Sequence, residues 1–107
     1  MVVPDAIREE LHAHAAEEAP NECCGVLVFR DGVAERYVRG RNRLASPYRY
    51  ELAVFHSHPL TEPRPSRTDR ELSGLWGGKP FLIYGLKLGE LCAWTITRDD
   101  FAEIPLD

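Results

Sequence analysis

The sequence predicts a single α/β (α+β) domain, a mixed central sheet flanked by helices. Three observations carry that expectation. A helical periodicity opens the chain from Pro4 to Glu18, and an uninterrupted apolar run follows from Cys24 to Arg30. Short strand-like runs then continue, broken by one further helical stretch. At 107 residues the chain has the length of one domain and can bury a modest core.

The elements follow in order. In the first helix Ile7, Leu11 and Ala15 share a face, Asp5 suits the N-terminal dipole, Pro4 suits the first turn, and Pro20 ends it. The strand Cys24 to Arg30 is apolar on both faces and is therefore predicted to be central. Asp31-Gly32 is a hairpin turn into the more polar strand Val33 to Arg39. Gly40 to Tyr50 is polar and irregular. Leu52 to Phe55 forms a short apolar strand that runs straight into His56-Ser57-His58-Pro59. Leu60 to Pro65 reads as a stiff loop because Pro63 and Pro65 restrict it. A second helix is predicted from Ser66 to near Gly77-Gly78. Strands follow at Pro80 to Leu86 and Glu90 to Thr97, joined by a turn at Lys87 to Gly89, and Phe101 to Leu106 is a short edge strand. The sequence contains no internal repeat, low-complexity tract or domain boundary.

Bulk properties narrow the function. A hydrophobic content of 44% and a charged content of 28% are those of a folded soluble protein. The net charge of −4 and the scattered arginines give no reason to expect nucleic acid as a partner. The densest basic stretch, Arg36 to Arg49, reads as a solvated loop and strand edge. No apolar run approaches the ~20 residues of a membrane span. Met1 to Glu10 turns acidic at once, unlike a signal peptide, so the expectation is a cytoplasmic protein without a membrane partner. Of the three cysteines, Cys23 and Cys24 are adjacent, a spacing that suits neither a disulfide nor a metal knuckle. Cys24 and Cys92 lie in apolar runs and are expected to be small core residues.

The chemistry concentrates between residues 56 and 69. Strand alternation sends the imidazoles of His56 and His58 to one side and Ser57 to the other, a geometry that presents two nitrogens to one metal. Asp69, at the start of the second helix, is a candidate third ligand. Two histidines and a carboxylate leave the open fourth position of a catalytic zinc site. Ser66-Arg67-Thr68-Asp69 also fits a capping box, which would account for both Ser66 and Asp69 without a metal, and the two readings do not exclude each other. Glu51 and Glu62 are the acids nearest the histidines in sequence. His12 and His14 form a second His-x-His, but on a helix residues two apart do not face each other, so they read as surface or partly packed.

His56-Ser57-His58, seven residues, Ser66, two residues and Asp69, with Glu22 ahead of Cys-Cys-Gly-Val-Leu, resembles the signature of the JAMM (MPN+) zinc metalloproteases, small prokaryotic type. The element order is similar over nearly the whole chain. The resemblance implies a cytidine-deaminase-like JAMM/MPN fold and one zinc per chain on His56, His58 and Asp69. It also implies Glu22 as general acid and base, and Ser66 as a donor to the developing oxyanion. Ser57 is expected to have a structural role more than a catalytic one, and Glu62, in the loop over the site, could touch substrate. The implied substrate is the C-terminal tail of a ubiquitin-like or sulfur-carrier protein, cut after its glycines. Tyr48 to Ala53 is a candidate sheet edge for that tail to pair with. The segment between Asn42 and Phe55 is shorter than in most relatives, and no insertion follows Asp69, so linkage-specific polyubiquitin cleavage is not expected. The oligomeric state stays open between monomer and homodimer. The alternatives are a RadC-like DNA-repair-associated protein, a non-catalytic MPN interaction domain, and a phage-type cell-wall peptidase.

Overall fold

The computed structural model describes residues 1–40, 51–72 and 79–107. Its elements are α1 (Asp5–Glu18), β1 (Cys24–Arg30), β2 (Val33–Arg39), β3 (Glu51–His58), α2 (Arg67–Leu72), β4 (Phe81–Gly85), β5 (Glu90–Ile96) and β6 (Phe101–Ile104). The six strands form one mixed sheet in the order β2-β1-β3-β4-β5-β6. All neighbouring pairs are antiparallel except β3 and β4, which run parallel with His58 opposite Gly85. The expected mixed sheet with a central β1 is therefore present. The predicted end of the second helix lies outside the described residues, as do Arg41 to Tyr50.

Alternation divides the sheet into two faces. Leu27, Phe29, Tyr37, Ala53, Phe55, Leu82, Tyr84 and Ala93 pack under Ile7, Leu11 and Ala15 of α1. This is why the helix carries its apolar residues at that spacing. The opposite face holds a smaller cluster of Val54, Phe81, Ile83, Trp94 and Ile96, with Phe101 against it. Val2 adds a parallel bridge to Val33, tying the chain start to β2. No helix among the described residues is long and apolar enough to cross a membrane.

Three expectations need correction. Cys24 is exposed and Cys92 only partly buried, whereas Cys23, which precedes β1, is the buried cysteine. Cys24 pairs with His56 and so shares its face, where the apolar cluster has ended. Second, Glu51 to Ala53 do not form a sheet edge. They belong to β3, an interior strand, and the edges are β2 and β6; Tyr48 to Tyr50 lie outside the described residues. Third, His14 is buried, with its Nδ1 2.7 Å from the Tyr37 hydroxyl. His12, on another face of α1, sits 2.7 Å from the Tyr84 hydroxyl instead.

Tyr37 explains one invariant of local geometry. Its hydroxyl donates to the Cys24 carbonyl at 3.3 Å, which leaves His14 Nδ1–H as the donor to the Tyr37 hydroxyl oxygen. The ring is thereby held flat over Gly25, where an added Cβ would stand 2.4 Å from the Tyr37 oxygen and 2.5 Å from a ring carbon. Gly25→Ala is expected to cost about 1–3 kcal/mol through this clash. Urea denaturation checks it: a lowered midpoint at unchanged slope is the expected result, and an unshifted midpoint would mean the ring can retreat.

Candidate metal centre

The end of β3 sets the site. Phe55 and Ser57 face α1, while Val54, His56 and His58 face the other way. The two Nε2 atoms stand 3.2 Å apart. Asp69 in α2 divides its carboxylate between them, with Oδ1 3.1 Å from His56 Nε2 and Oδ2 3.2 Å from His58 Nε2. Glu22 joins the group: one ligand atom from each of Glu22, His56, His58 and Asp69 lies within 4.8 Å of the others.

The donor set fits a zinc-type ion. With ligands at ~2.0–2.1 Å in tetrahedral geometry, neighbouring ligand atoms stand about 3.3 Å apart. The 3.2 Å between the two imidazole nitrogens matches that edge length, and each histidine has one Asp69 oxygen at a similar distance. His58 is also pre-set as a ligand. Its Nδ1 lies 2.8 Å from the Glu62 carbonyl, which can only accept, so Nδ1 carries the hydrogen and Nε2 points its lone pair at the site. Two nitrogens and two carboxylates, converging on one point at partial burial, can hold a divalent cation and leave room for water.

The electrostatics agree with the geometry. For Asp69, burial favours the neutral acid, but the hydrogen bonds to His56 and His58 outweigh it and hold the carboxyl well below the usual range. For His58, burial pulls the pKa down, yet the bond to Asp69 and then that to the Glu62 carbonyl raise it overall above 6.5. The negative charge of Glu22 adds to the same effect. In the absence of an ion, the lone pair on Nε2 therefore attracts a proton.

Glu22 is exposed and follows no regular element, but its neighbour is pinned. The Cys23 N–H donates to Ser57 Oγ at 2.8 Å, and the Ser57 N–H donates to the Cys23 carbonyl at 2.9 Å. Ser57 lies between the two histidines, so this double bond sets the main chain beside Glu22 against the metal-facing strand end. The Ser57 hydroxyl, fully buried, accepts one of these bonds and so ties the end of β3 to the link before β1.

Ser66 and Asp69 form the capping box that their spacing suggests, and the Asp69 carboxylate also faces the two histidines. The Asp69 N–H donates to Ser66 Oγ at 3.1 Å and the Ser66 N–H donates to Asp69 Oδ2 at 2.8 Å, a reciprocal cap on α2. The same cap aims the carboxylate at the histidines. The Ser66 hydroxyl accepts in this arrangement, so its hydrogen stays available for a further acceptor. Of the rival acids, Glu51 opens β3 at the end away from His58, and Glu62 enters the site through its carbonyl.

Two supporting contacts had no signal in the sequence. The Trp94 indole N–H donates to the Pro63 carbonyl at 2.9 Å. Pro63 also lies so close to Gly85 that an added Cβ there would stand 2.7 Å from its Cδ. Together they hold Pro63 against β4 and β5, and only spatial neighbourhood creates either contact.

Comparison with known proteins gives the family of the chain. The family of prokaryotic homologs of the JAB domain matches residues 47–97. The Haloferax volcanii desampylase is 32% identical over 94% of this chain and 87% of its own length. The chain belongs to the prokaryotic JAB family, within the JAMM/MPN proteins. Other relatives match less of it. The CysO-cysteine peptidase of Mycobacterium tuberculosis is 34% identical over 57% of each chain. The tail tip assembly protein K of Escherichia phage N15 is 35% identical over 58% of this chain and 32% of its own. The chain thus spans about a third to somewhat over half the length of these two relatives. Among solved structures, a protein of Desulfitobacterium hafniense superposes with a TM-score of 0.78 at 27% identity, covering 99% of this chain and 90% of its own. A JAB1/MPN domain protein from Archaeoglobus fulgidus gives 0.76 at 20%, covering 100% and 97%. A structure described as JAMM, a metalloprotease-like zinc site in the proteasome and signalosome, gives 0.73 at 20%, covering 100% and 95%. These last two show the shared fold.

Two outcomes follow for this JAB-family site. A proton and a metal compete for His58 Nε2, and the raised pKa lets the proton win at higher pH than for a free imidazole. Apparent zinc affinity is therefore expected to fall as pH drops through and below that raised value, by up to ~tenfold per unit for each imidazole that must lose a proton. Competition titration with a chromophoric chelator between pH 5 and 8 reads this, and a flat profile would contradict histidine ligation. Ser57→Ala leaves the buried Cys23 N–H without its acceptor and is expected to cost about 1–3 kcal/mol in thermal or chemical unfolding.

Proposed function

We propose that this chain is a zinc-dependent peptidase that hydrolyses the bond after the C-terminal tail of a ubiquitin-like or sulfur-carrier protein. The observation that carries the proposal is the convergence of Glu22, His56, His58 and Asp69 within 4.8 Å at the end of β3. The names of two relatives support it: one is a CysO-cysteine peptidase and the other a desampylase.

In this reading His56, His58 and Asp69 hold the ion, and the hydrogen on His58 Nδ1 fixes which nitrogen is offered. Zinc bound there would supply Lewis acidity, making water acidic enough to attack near neutral pH. Glu22 takes a proton from the attacking water as its oxygen bonds to the scissile carbonyl carbon. It then gives a proton to the leaving nitrogen as the C–N bond breaks, so the tail gains a carboxylate and the leaving group an amine. Ser66, whose hydroxyl hydrogen is unspent in the cap, donates to the carbonyl oxygen as negative charge develops there.

The experiment is incubation of the zinc-loaded protein with a ubiquitin-like or sulfur-carrier protein extended past its Gly-Gly tail. Cleavage is expected, with about one zinc per chain by elemental analysis, and chelation should abolish both. Glu22→Ala should retain zinc and lose roughly 10²–10⁴-fold in kcat, the range for a removed acid–base group. Wild-type turnover in that variant would remove Glu22 from its role.

A further inference from the structure

The strand end that carries the metal ligands has two sides. On the ligand side a cleft of about 580 Å³ opens beside the metal centre, with His58, Leu60, Ser66, Lys87 and Leu88 in its wall. On the other side, under α1, lies the second His-x-His of the sequence, which the catalytic reading leaves unused. His12 Nδ1 stands 2.7 Å from the Tyr84 hydroxyl, and His14 Nδ1 stands 2.7 Å from that of Tyr37. The two pairs hold α1 to strands on either side of β1 and β3, since Tyr84 belongs to β4 and Tyr37 to β2. They lead to different places.

His14 is buried. Burial first, and then the charge of Arg39, pulls its pKa below 6.5 against the opposing charges of Glu18 and Glu17. The ring is therefore neutral near neutral pH and keeps its one hydrogen on Nδ1, where the Tyr37 oxygen accepts it. Burial pushes the Tyr37 phenol well above its ordinary value, so the hydroxyl keeps its own hydrogen for the Cys24 carbonyl. Two oriented bonds thus run from α1 through Tyr37 to the main chain of β1. The Tyr37 ring is packed on Gly25 and stands edge-on to Phe55, 5.2 Å between ring centres.

Glu22 sits on the link 19–23 between the end of α1 and the start of β1. Its side chain is exposed, so the main chain on either side sets where the carboxylate stands. One end of the link is the C-terminal end of α1, tied to β2 by His14 on Tyr37 and by the Glu17–Arg39 ion pair. The Asn21 N–H, bonded to the Glu18 carbonyl at 2.8 Å, carries that anchor into the link. The other end is Cys23 on Ser57, followed by the Cys24 carbonyl, which receives the Gly40 N–H at 2.9 Å and the Tyr37 hydroxyl. Tyr37 touches both ends. We propose that Tyr37 and His14 are positioning residues for Glu22: they set the span of the link and so hold its carboxylate at the metal centre. The inference rests on the peptidase reading, in which Glu22 moves the proton. The His12–Tyr84 pair ties α1 to β4 instead and leaves that span alone.

The test uses zinc-loaded protein and a carrier protein extended past its Gly-Gly tail, with kcat, KM and zinc content followed together. Tyr37→Phe is expected to keep its zinc and its KM while kcat falls about ten- to hundredfold, the scale of an ångström-sized misplacement of a reacting group. His14→Ala should fall likewise. His14→Asn, which restores an N–H in the place of Nδ1–H, should recover most of the loss. His12→Ala loses a bond of the same length and should keep the wild-type kcat, which separates positioning from loss of packing. In a Glu22→Ala background, Tyr37→Phe should leave kcat unchanged, because no carboxylate remains to be misplaced. A second readout needs no turnover: the Cys23 N–H should exchange with solvent about tenfold faster in Tyr37→Phe and at the wild-type rate in His12→Ala. Wild-type kcat or Cys23 exchange in Tyr37→Phe would overturn the inference and leave the peptidase reading standing. So would an equal loss in the Glu22→Ala background, an equal loss in His12→Ala, or a His14→Asn no better than His14→Ala. No cleavage by the wild-type protein would overturn the peptidase reading and this role with it.

Discussion

The metal centre depends on how the chain before β1 is joined to the end of β3. Ser57 sits between two histidines whose side chains must face one way, so its own side chain must face the other, into the core under α1. A hydroxyl in that position needs a partner, and it finds the Cys23 N–H, while its own N–H serves the Cys23 carbonyl. The resulting two-bond junction does for Glu22 what no local propensity could. It brings an acid from a link lacking regular structure beside two imidazoles more than thirty residues away in sequence.

The third side of the site is closed by α2 and the loop before it. The cap of α2 uses the same Asp69 carboxylate that faces the histidines, so capping fixes where that carboxylate stands. Asp69 Oδ2 serves the Ser66 N–H and His58 at once. The loop cannot drift, because Pro63 is held by Trp94 and lies against Gly85. Its Glu62 carbonyl in turn orients His58. Backbone groups of the loop thus decide which nitrogen of the ligand is free, an arrangement that side-chain chemistry alone would leave ambiguous.

Much of this was legible in the sequence where one short-range rule governs. The apolar run of β1, the Asp31-Gly32 turn and the alternation through His56-Ser57-His58 each follow from local geometry. The Ser66 to Asp69 spacing suggested a cap and, with the histidines, a ligand. Glu22 was legible only through its resemblance to a motif, since the Cys23–Ser57 junction spans 34 residues and leaves no local pattern. The cysteines show the converse limit. Cys24 lies in an apolar run, yet it is exposed because its face of the sheet at that point carries the site and not the core. Hydrophobic pattern reports what a strand can bury; what covers each face is decided by elements elsewhere in the chain.

The neighbourhood of cleft and metal centre is a consequence of topology. β3 and β4 are the one parallel pair among the six strands, and a parallel pair requires a crossover. The chain must therefore leave the sheet at His58 and return to it at Phe81, at the far end. Everything that leaves at His58, including Leu60, Glu62 and the start of α2, begins above the carboxyl ends of both strands. β4 then runs back up beside β3 and delivers its turn, with Lys87 and Leu88, to the same end. Open sheets bind ligands at the carboxyl ends of parallel strands for this reason. In this chain the crossover contributes the carboxylate and one wall, and the β4–β5 turn contributes the other.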